Sequence, residues 1–138
     1  MGLRSFLHRL TAPRPSSRFS GTSVKLVCVV NQGLKMGKGK LAAQVGHASV
    51  EALLKTGVSH PQHVDAWLAT GQKKICVKVP GDEVMNELQE QAIQRSIPSL
   101  IVRDAGHTQI PQGSQTVLAL GPYDEDVLDL LTGDLKLL

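Results

Sequence analysis

The sequence has few aromatic residues and few cysteines, and this scarcity excludes several kinds of site. It contains two Phe, one Trp and one Tyr, too few for a row of rings on which nucleobases stack. The two cysteines, Cys28 and Cys76, lie inside apolar runs, which favours buried thiols over a disulfide or half of a metal site. Apolar runs stay shorter than the roughly 18 residues that predict a membrane span, so no transmembrane helix is expected.

Acidic residues are missing from the N-terminal part of the chain. The formal net charge of the 138 residues is +3, from 15 Lys and Arg against 12 Asp and Glu. Residues 1–25 contain five of the basic residues and no acid, so residues 26–138 contain 10 basic and 12 acidic residues. The basic excess therefore belongs to the N-terminus and does not by itself indicate a nucleic-acid-binding surface on the rest of the chain.

Residues 1–23 are predicted to be a mitochondrial transit peptide. Arginine and serine are frequent there and acids are missing, as in such targeting segments. The apolar side chains that fall on one helical stripe are Leu3, Phe6, Leu7 and Leu10. Ser17-Arg18-Phe19-Ser20 resembles an arginine-directed processing site. The alternative is a disordered basic leader that binds phosphates or lipid, with a cytoplasmic location.

Residues 24–138 have the pattern of one α/β domain. Apolar runs predict strands at 24–30, 74–79, 99–102 and 115–120. Helical spacing predicts a helix from the glycines near 37 to about Lys55, stopped by Gly57, and others at 61–70, 82–95 and 123–131. In the third helix Asp82 is the expected N-cap, and the expected core residues are Val84, Leu88 and Ile93. This order predicts a mixed sheet of about four strands with helices on both faces.

A lysine and glycine cluster follows the first predicted strand. Lys35, Lys38 and Lys40 surround Gly37 and Gly39 at a predicted helix N-terminus, where free backbone N–H groups and the helix dipole favour a bound phosphate. The alternative is a solvated lysine cluster whose glycines only permit the turn. The spacing is not that of a Walker loop, since no Gly-Lys-Ser/Thr follows.

Two further groups of polar residues lie near this cluster. Lys40, Gln44 and His47 project from one face of the predicted helix, although a helical histidine also often has only a packing role. Asp104 directly follows the third strand, close in sequence to His107, Thr108 and Ser114; an aspartate there can also simply cap its own loop. The chain lacks a Gly-x-Ser-x-Gly elbow, and His60 and His63 lack further ligands nearby. No metal and no cofactor is predicted.

Several separated motifs resemble the type II peptidyl-tRNA hydrolases of archaea and eukaryotes over the whole of residues 24–138. They are Lys35-Met36-Gly37-Lys38-Gly39-Lys40, Ala42-Ala43-Gln44 with His47, Gly71-Gln72, Asp104-Ala105-Gly106 with Thr108-Gln109, Gly113-Ser114-Gln115-Thr116, and Thr132-Gly133-Asp134-Leu135-Lys136-Leu137. The resemblance implies a mixed four-stranded sheet between helices. It also implies an esterase that cleaves the bond between a peptide and the 3′-terminal ribose of tRNA.

The resemblance also implies residue roles. The family's proposed catalytic groups fall on Lys40, Asp104 and Thr108, with Gln44, His47 and Ser114 around them. His47 is a candidate proton shuttle or orienting group, and the lysines and His107 are candidates for substrate binding. The sequence departs from the family at His107, where relatives usually have Lys or Arg, and at Gly46, where Ser or Ala is common.

Two alternative functions stay open from the sequence. A non-catalytic module could keep the fold and use its lysines to hold RNA or a protein, although such a module has no need of an acid beside its phosphate site. A nucleotide-cofactor enzyme would need adenine and ribose contacts that the glycine motif does not supply. The expected partner is peptidyl-tRNA, held through phosphate and ribose without sequence specificity. The sequence does not decide between a monomer and a homodimer.

Overall fold

The computed structural model describes residues 3, 7, 10, 11, 23–106 and 110–138. Of the predicted leader, Leu3, Leu7 and Leu10 have helical conformation and exposed side chains. Phe6 and the processing motif at 17–20 lie outside the described residues. The division into a leader and a domain therefore stays a prediction. Among the described residues, no helix is long and apolar enough to cross a membrane.

Within residues 23–106 and 110–138 the structure contains four strands and four helices. The strands are β1 Val24–Asn31, β2 Lys74–Val79, β3 Ser99–Arg103 and β4 Gln115–Asp124. The helices are α1 Lys38–Ser59, α2 Pro61–Ala69, α3 Asp82–Gln94 and α4 Glu125–Thr132, and a short 3₁₀ turn at Gln32–Leu34 follows β1. The sheet order is β2-β1-β4-β3. β1 is parallel to β2 and antiparallel to β4, and β3 is antiparallel to β4. The predicted mixed four-stranded sheet is confirmed.

Helices cover both faces of the sheet, as the sequence predicts. Every residue of β1 is buried, because successive side chains point to opposite faces and both faces are covered. Leu26, Cys28 and Val30 pack with α1 and α2, whereas Val27 and Val29 pack with α3 and α4. The two apolar layers fix β1 as a rigid central strand, and its C-terminal end leads directly into the lysine and glycine cluster.

The prediction that Gly57 stops the first helix is wrong. α1 continues to Ser59, and the next residue but one is Pro61, which disfavours helical geometry in the residue before it. A single helical glycine costs only about 1 kcal/mol relative to alanine. The buried Thr56 hydroxyl donates to the Gly121 carbonyl at 2.8 Å and anchors the last turn.

Two details predicted for the third helix are also wrong. Gly81 is the N-cap, and Asp82 is the first helical residue; its carboxylate instead accepts a hydrogen bond from Asn31 Nδ2 at 2.7 Å. Ile93 is 63% exposed, because Met85, Leu88 and Ala92 form the buried stripe. Leu88 and the half-buried Val84 do pack against the core, as predicted. Ile93 misled the prediction because it is an apolar residue on the exposed side of the helix.

Candidate active site

Lys40 and Asp104 meet at one end of the sheet. Lys40 lies in the first turn of α1, and Asp104 is the residue that follows β3. The Lys40 ammonium donates to Oδ1 of Asp104. The side chains of the two residues are only 11% and 2% exposed, so this ion pair is largely removed from water. The structure thus brings together two residues that are 64 positions apart in the sequence.

The backbone around Asp104 holds its carboxylate in place. Asp104 N–H donates to the Ser114 carbonyl at 2.9 Å, and Gly113 N–H donates to the Asp104 carbonyl at 2.9 Å. Oδ2 accepts from Gly106 N–H at 3.0 Å. The predicted alternative of an aspartate that caps its own loop is therefore also present, but the same carboxylate is bound to Lys40. Its position is set by the loop on one side and by α1 on the other.

The ion pair forms part of the wall of a pocket of about 240 Å³. Its lining residues are Lys40, Ala43, Gln44, His47, Arg103, Asp104 and Ala105. Lys40, Gln44 and His47 do share one face of α1, as predicted, and that face opens on the pocket. Arg103, Lys40 and His47 are the basic residues of the lining, and Asp104 is its single acid. The pocket combines a net positive charge with one fixed carboxylate.

Gln44 is held by a side chain of the sheet. It is buried, and its Oε1 accepts from the Thr116 hydroxyl at 2.6 Å. The same hydroxyl lies 3.1 Å from the Val102 carbonyl, and Thr116 itself is fully buried on β4. With Oε1 engaged, Nε2 is the atom of the amide that can donate to a group in the pocket.

The three lysines of the predicted cluster face different surroundings in the structure. Gly37 is the N-cap, Lys38 is the first helical residue and is exposed, and a side chain at Gly39 would point into open space. Lys35 has a left-handed backbone, with φ of 51°, and faces a second pocket of about 340 Å³. That pocket is lined by Val30, Asn31, Gln32, Lys35, Met36, Leu41 and Leu138. Of the three lysines, only Lys40 lines the first pocket.

The remaining predicted residues come from the loop between β3 and β4. The Ser114 hydroxyl donates to the Pro111 carbonyl at 2.7 Å, and Ser114 is not among the lining residues of either pocket described above. Ser114 contacts the site through its backbone carbonyl, which accepts a hydrogen bond from Asp104 N–H. His107 and Thr108 lie outside the described residues, so their predicted roles stay predictions.

Sequence reasoning missed three residues that shape this end of the sheet. Arg103 lines the pocket, and its position beside Asp104 at a strand end was the available signal. Thr116 orients Gln44, but a threonine within an apolar strand gives no sign of such a bond. Asn31 ends β1 and joins three segments: Nδ2 donates to Asp82 and, at 2.9 Å, to the Gln115 carbonyl, and Oδ1 accepts from Gly33 N–H at 3.1 Å.

The arrangement contains the groups of an acid–base site. Within 23–106 and 110–138, no three His, Cys, Asp or Glu side chains are grouped to hold a metal ion. A fixed carboxylate, a buried ammonium, an amide donor and a rim histidine around one small cavity can orient water and stabilise an oxyanion. The fold and the pocket thus define a single-domain α/β protein with the equipment for general acid–base chemistry.

Comparison with known proteins places the chain in a family. The profile of the family described as Peptidyl-tRNA hydrolase PTH2 matches residues 24–138, and the chain belongs to this family, as its motifs predict. It is 44% identical to "Peptidyl-tRNA hydrolase" of Methanocaldococcus jannaschii, over 83% of this chain and 100% of the relative. It is 47% identical to that of Methanopyrus kandleri, over 83% and 97%. It is 43% identical to human "Peptidyl-tRNA hydrolase 2, mitochondrial", over 82% of this chain and 63% of that protein.

Proposed function

We propose that this chain hydrolyses the ester bond between a peptide and the 3′ ribose of tRNA, with the pocket at Lys40 and Asp104 as the hydrolytic centre. Family membership supports the reaction, since its named members are peptidyl-tRNA hydrolases. The single observation that supports the site is the buried ion pair that opens on a small pocket with charged and polar side chains in its lining. No cofactor enters the proposal, because the reaction needs only water and charge stabilisation.

In the proposed reaction, Asp104 acts on water. Its carboxylate is held by Lys40 and by Gly106 N–H, so it can accept a hydrogen bond from a water molecule in the pocket and take a proton as that water attacks the ester carbonyl carbon. The tetrahedral intermediate then collapses, the bond to the ribose 3′ oxygen breaks, and that oxygen takes up the proton that Asp104 accepted from the water. The products are a peptide with a free carboxylate and a tRNA with a free 3′ hydroxyl.

The negative charge that develops on the ester oxygen needs donors that are already in place. Lys40 supplies an ammonium, and the first turn of α1 supplies backbone N–H groups and the positive end of the helix dipole. Gln44 supplies Nε2, because its Oε1 is occupied by Thr116. Preformed donors of this kind are worth about 10²–10³ in kcat each in other ester and amide hydrolases. Lys40 therefore has two roles, to hold Asp104 and to stabilise the oxyanion.

The rim of the pocket is suited to the tRNA side of the substrate. His47 is exposed at the rim and can shuttle a proton to the ribose oxygen or orient it. Arg103, Lys38 and Lys35 lie around the same end of the sheet, and they are proposed to contact phosphates of the tRNA acceptor end. Such contacts are independent of base sequence and depend strongly on salt. Thr108 is proposed to hold the water or the ester, and His107 and Ser114 to contact the substrate.

The experiment that tests the function is release of tRNA from peptidyl-tRNA by the purified chain. Unblocked aminoacyl-tRNA is the matched control, because it has the same ester and the same tRNA but no peptide. Turnover of peptidyl-tRNA alone is the expected result. Binding of intact tRNA without turnover would instead favour the alternative, a non-catalytic RNA-binding module with the same fold.

We also propose a mitochondrial location, directed by residues 1–23. The proposal is supported by the composition of that segment and by the printed names of the human and Bos taurus relatives, both of which say mitochondrial. The test fuses residues 1–23 to a fluorescent protein in a eukaryotic cell. Mitochondrial fluorescence is expected, and replacement of the four leader arginines by glutamine should abolish it. A cytoplasmic signal from the unchanged leader would overturn the proposal.

A further inference from the structure

The two cysteines are neighbours across the sheet. β1 and β2 run parallel, and their register pairs Cys28 with Cys76. Paired residues of adjacent strands point to the same face, and both cysteines belong to the apolar layer under α1 and α2. Adjacent strands lie about 4.8 Å apart, within the Cα separation of roughly 4.4–6.8 Å that a disulfide spans. Both thiols are free in the structure.

The two thiols differ in exposure and in acidity. Cys28 is fully buried, whereas Cys76 is half-buried on β2. β2 is the outermost of the four strands, and its outer side is partly paired with the C-terminal residues, where Leu138 N–H donates to the Cys76 carbonyl at 3.1 Å. Donation from the Cys28 thiol lowers the pKa of Cys76 to about 7, against the opposing effect of burial. That hydrogen bond, together with burial, raises the pKa of Cys28. Cys76 is thus the more exposed and the more acidic of the two thiols, and Cys28 is the protected thiol beside it.

We propose that Cys76 and Cys28 are an attacking and resolving pair, a dithiol site that a small disulfide such as oxidised glutathione converts to an intramolecular disulfide. The site is separate from the hydrolytic pocket and does not depend on the function proposed above. The geometry supports this pairing because the resolving thiol is the register neighbour of the attacking one. A cysteine without such a neighbour could only be capped.

The reaction is a pair of thiol–disulfide exchanges. The Cys76 thiolate attacks one sulfur of oxidised glutathione, forms a mixed disulfide and releases one glutathione thiolate. Cys28 then loses its proton and attacks Cys76 Sγ, which breaks the bond to glutathione and releases the second glutathione. Two protein thiols are oxidised to one disulfide, and one glutathione disulfide is reduced to two glutathione thiols. Because Cys28 is fully buried, the second exchange is expected to be the slow one.

The cross-link would join strands that are already hydrogen-bonded in register. It closes a loop that contains α1 and α2, from Cys28 to Cys76, and it restricts the unfolded chain far more than the folded one. Oxidation is therefore expected to raise the melting temperature. It is expected to leave the backbone of the sheet in place, since the strand spacing already suits a disulfide.

The test incubates the folded, full-length chain with oxidised glutathione and follows its intact mass. The expected product of the unchanged chain has lost two hydrogen atoms, no longer reacts with N-ethylmaleimide after denaturation, and returns to two free thiols with dithiothreitol. Circular dichroism before and after oxidation shows that the fold is kept. The oxidised form should melt several degrees above the reduced form.

Single substitutions separate the two roles. Cys28→Ser should stop at a stable adduct of one glutathione on Cys76, because the resolving thiol is gone. Cys76→Ser should stay unmodified while folded. A glutathione adduct that persists on the unchanged chain, or a folded chain that does not react at all, would overturn the proposal. A lower melting temperature after oxidation would overturn the claim that the strands accept the bond without moving.

Discussion

Two lysine–carboxylate pairs stand at opposite ends of the same sheet and differ in their contact with water. Lys40 and Asp104, beyond the C-terminal ends of β1 and β3, have side chains that are 11% and 2% exposed. Lys73 and Glu125, at the start of β2 and beyond β4, are 48% and 21% exposed and lie 2.6 Å apart. The partners are chemically alike, and the surroundings differ.

The comparison shows that two lysine–carboxylate pairs have different properties when one is buried and the other is in contact with water. An exposed pair is screened by water and contributes about 0–1 kcal/mol to stability. A buried pair has lost its hydration, so each charge depends on the other and on fixed donors, and its field acts strongly on any group that enters the adjacent cavity. The first pair faces the pocket in which we propose hydrolysis, while the second joins two elements near the surface.

The largest expected difference comes from the same substitution in both pairs. Lys40→Gln removes the proposed oxyanion donor and takes the Lys40 ammonium away from the buried Asp104, so we expect at least a 100-fold loss of kcat and a loss of about 3–5 kcal/mol of unfolding free energy. Lys73→Gln should cost less than about 1 kcal/mol and leave kcat unchanged. Urea unfolding and peptidyl-tRNA hydrolysis measure both effects. Equal losses in the two variants would remove the distinction between the pairs.

A smaller effect is expected from the bond that orients Gln44. Thr116→Val keeps the shape of the side chain but removes the donor to Oε1, so Gln44 loses its fixed orientation, and we expect kcat to fall about 10-fold with little change in KM. Thr132→Val is the matched control: Thr132 is also buried, and its hydroxyl donates to the Leu128 carbonyl at 2.9 Å within α4. Steady-state kinetics should separate the two variants. An equal fall in kcat would show that any lost buried hydroxyl has this effect.

The exposed lysines should affect binding rather than chemistry. Lys38→Gln is expected to raise KM severalfold, leave kcat unchanged and reduce the slope of log affinity against log salt by about one, as the loss of one phosphate contact predicts. Lys136→Gln serves as a control, since Lys136 is an exposed lysine that lines neither pocket described above. Binding titrations with uncharged tRNA over a series of salt concentrations measure the slope. An unchanged slope for Lys38→Gln would place the phosphates elsewhere.

The smallest expected effect is the pH dependence of the surface pair. The hydrogen bond from Lys73 lowers the pKa of Glu125 below its ordinary value. A lowered carboxylate pKa contributes stability above the pKa of the unfolded chain, and this contribution is lost as the pH falls through the pKa of the folded state. Glu125→Gln should therefore reduce stability by less than about 1 kcal/mol at neutral pH, and the difference should vanish in acid. Urea unfolding over an acidic pH series tests the sign, and a difference that grows in acid would contradict it.

The sequence predicts most elements because β1 is a nearly continuous apolar run and the helices have apolar residues at helical spacing. It also brings Lys40, Gln44 and His47 onto one face, since helical spacing fixes that face. Predictions from the sequence are wrong where contacts between distant segments determine the structure. α1 continues beyond Gly57, and the hydrogen bond from Thr56 to the Gly121 carbonyl stabilises its last turn. The Asp82 carboxylate accepts a hydrogen bond from Asn31 and does not cap α3. The hydrogen bond from Thr116 to Gln44 could not be predicted either, because it joins a strand and a helix that are far apart in the sequence.

The account depends on Asp104 as the group that acts on water, and single-turnover hydrolysis of peptidyl-tRNA tests this most directly. Asp104→Asn keeps the size of the side chain but removes its charge, and Glu125→Gln makes the same change in the more exposed pair. We expect the first to lower the rate about 10²–10⁴-fold with tRNA binding retained, and the second to leave the rate unchanged. A folded Asp104→Asn variant, checked by circular dichroism, that hydrolyses at the unchanged rate would contradict the proposed site.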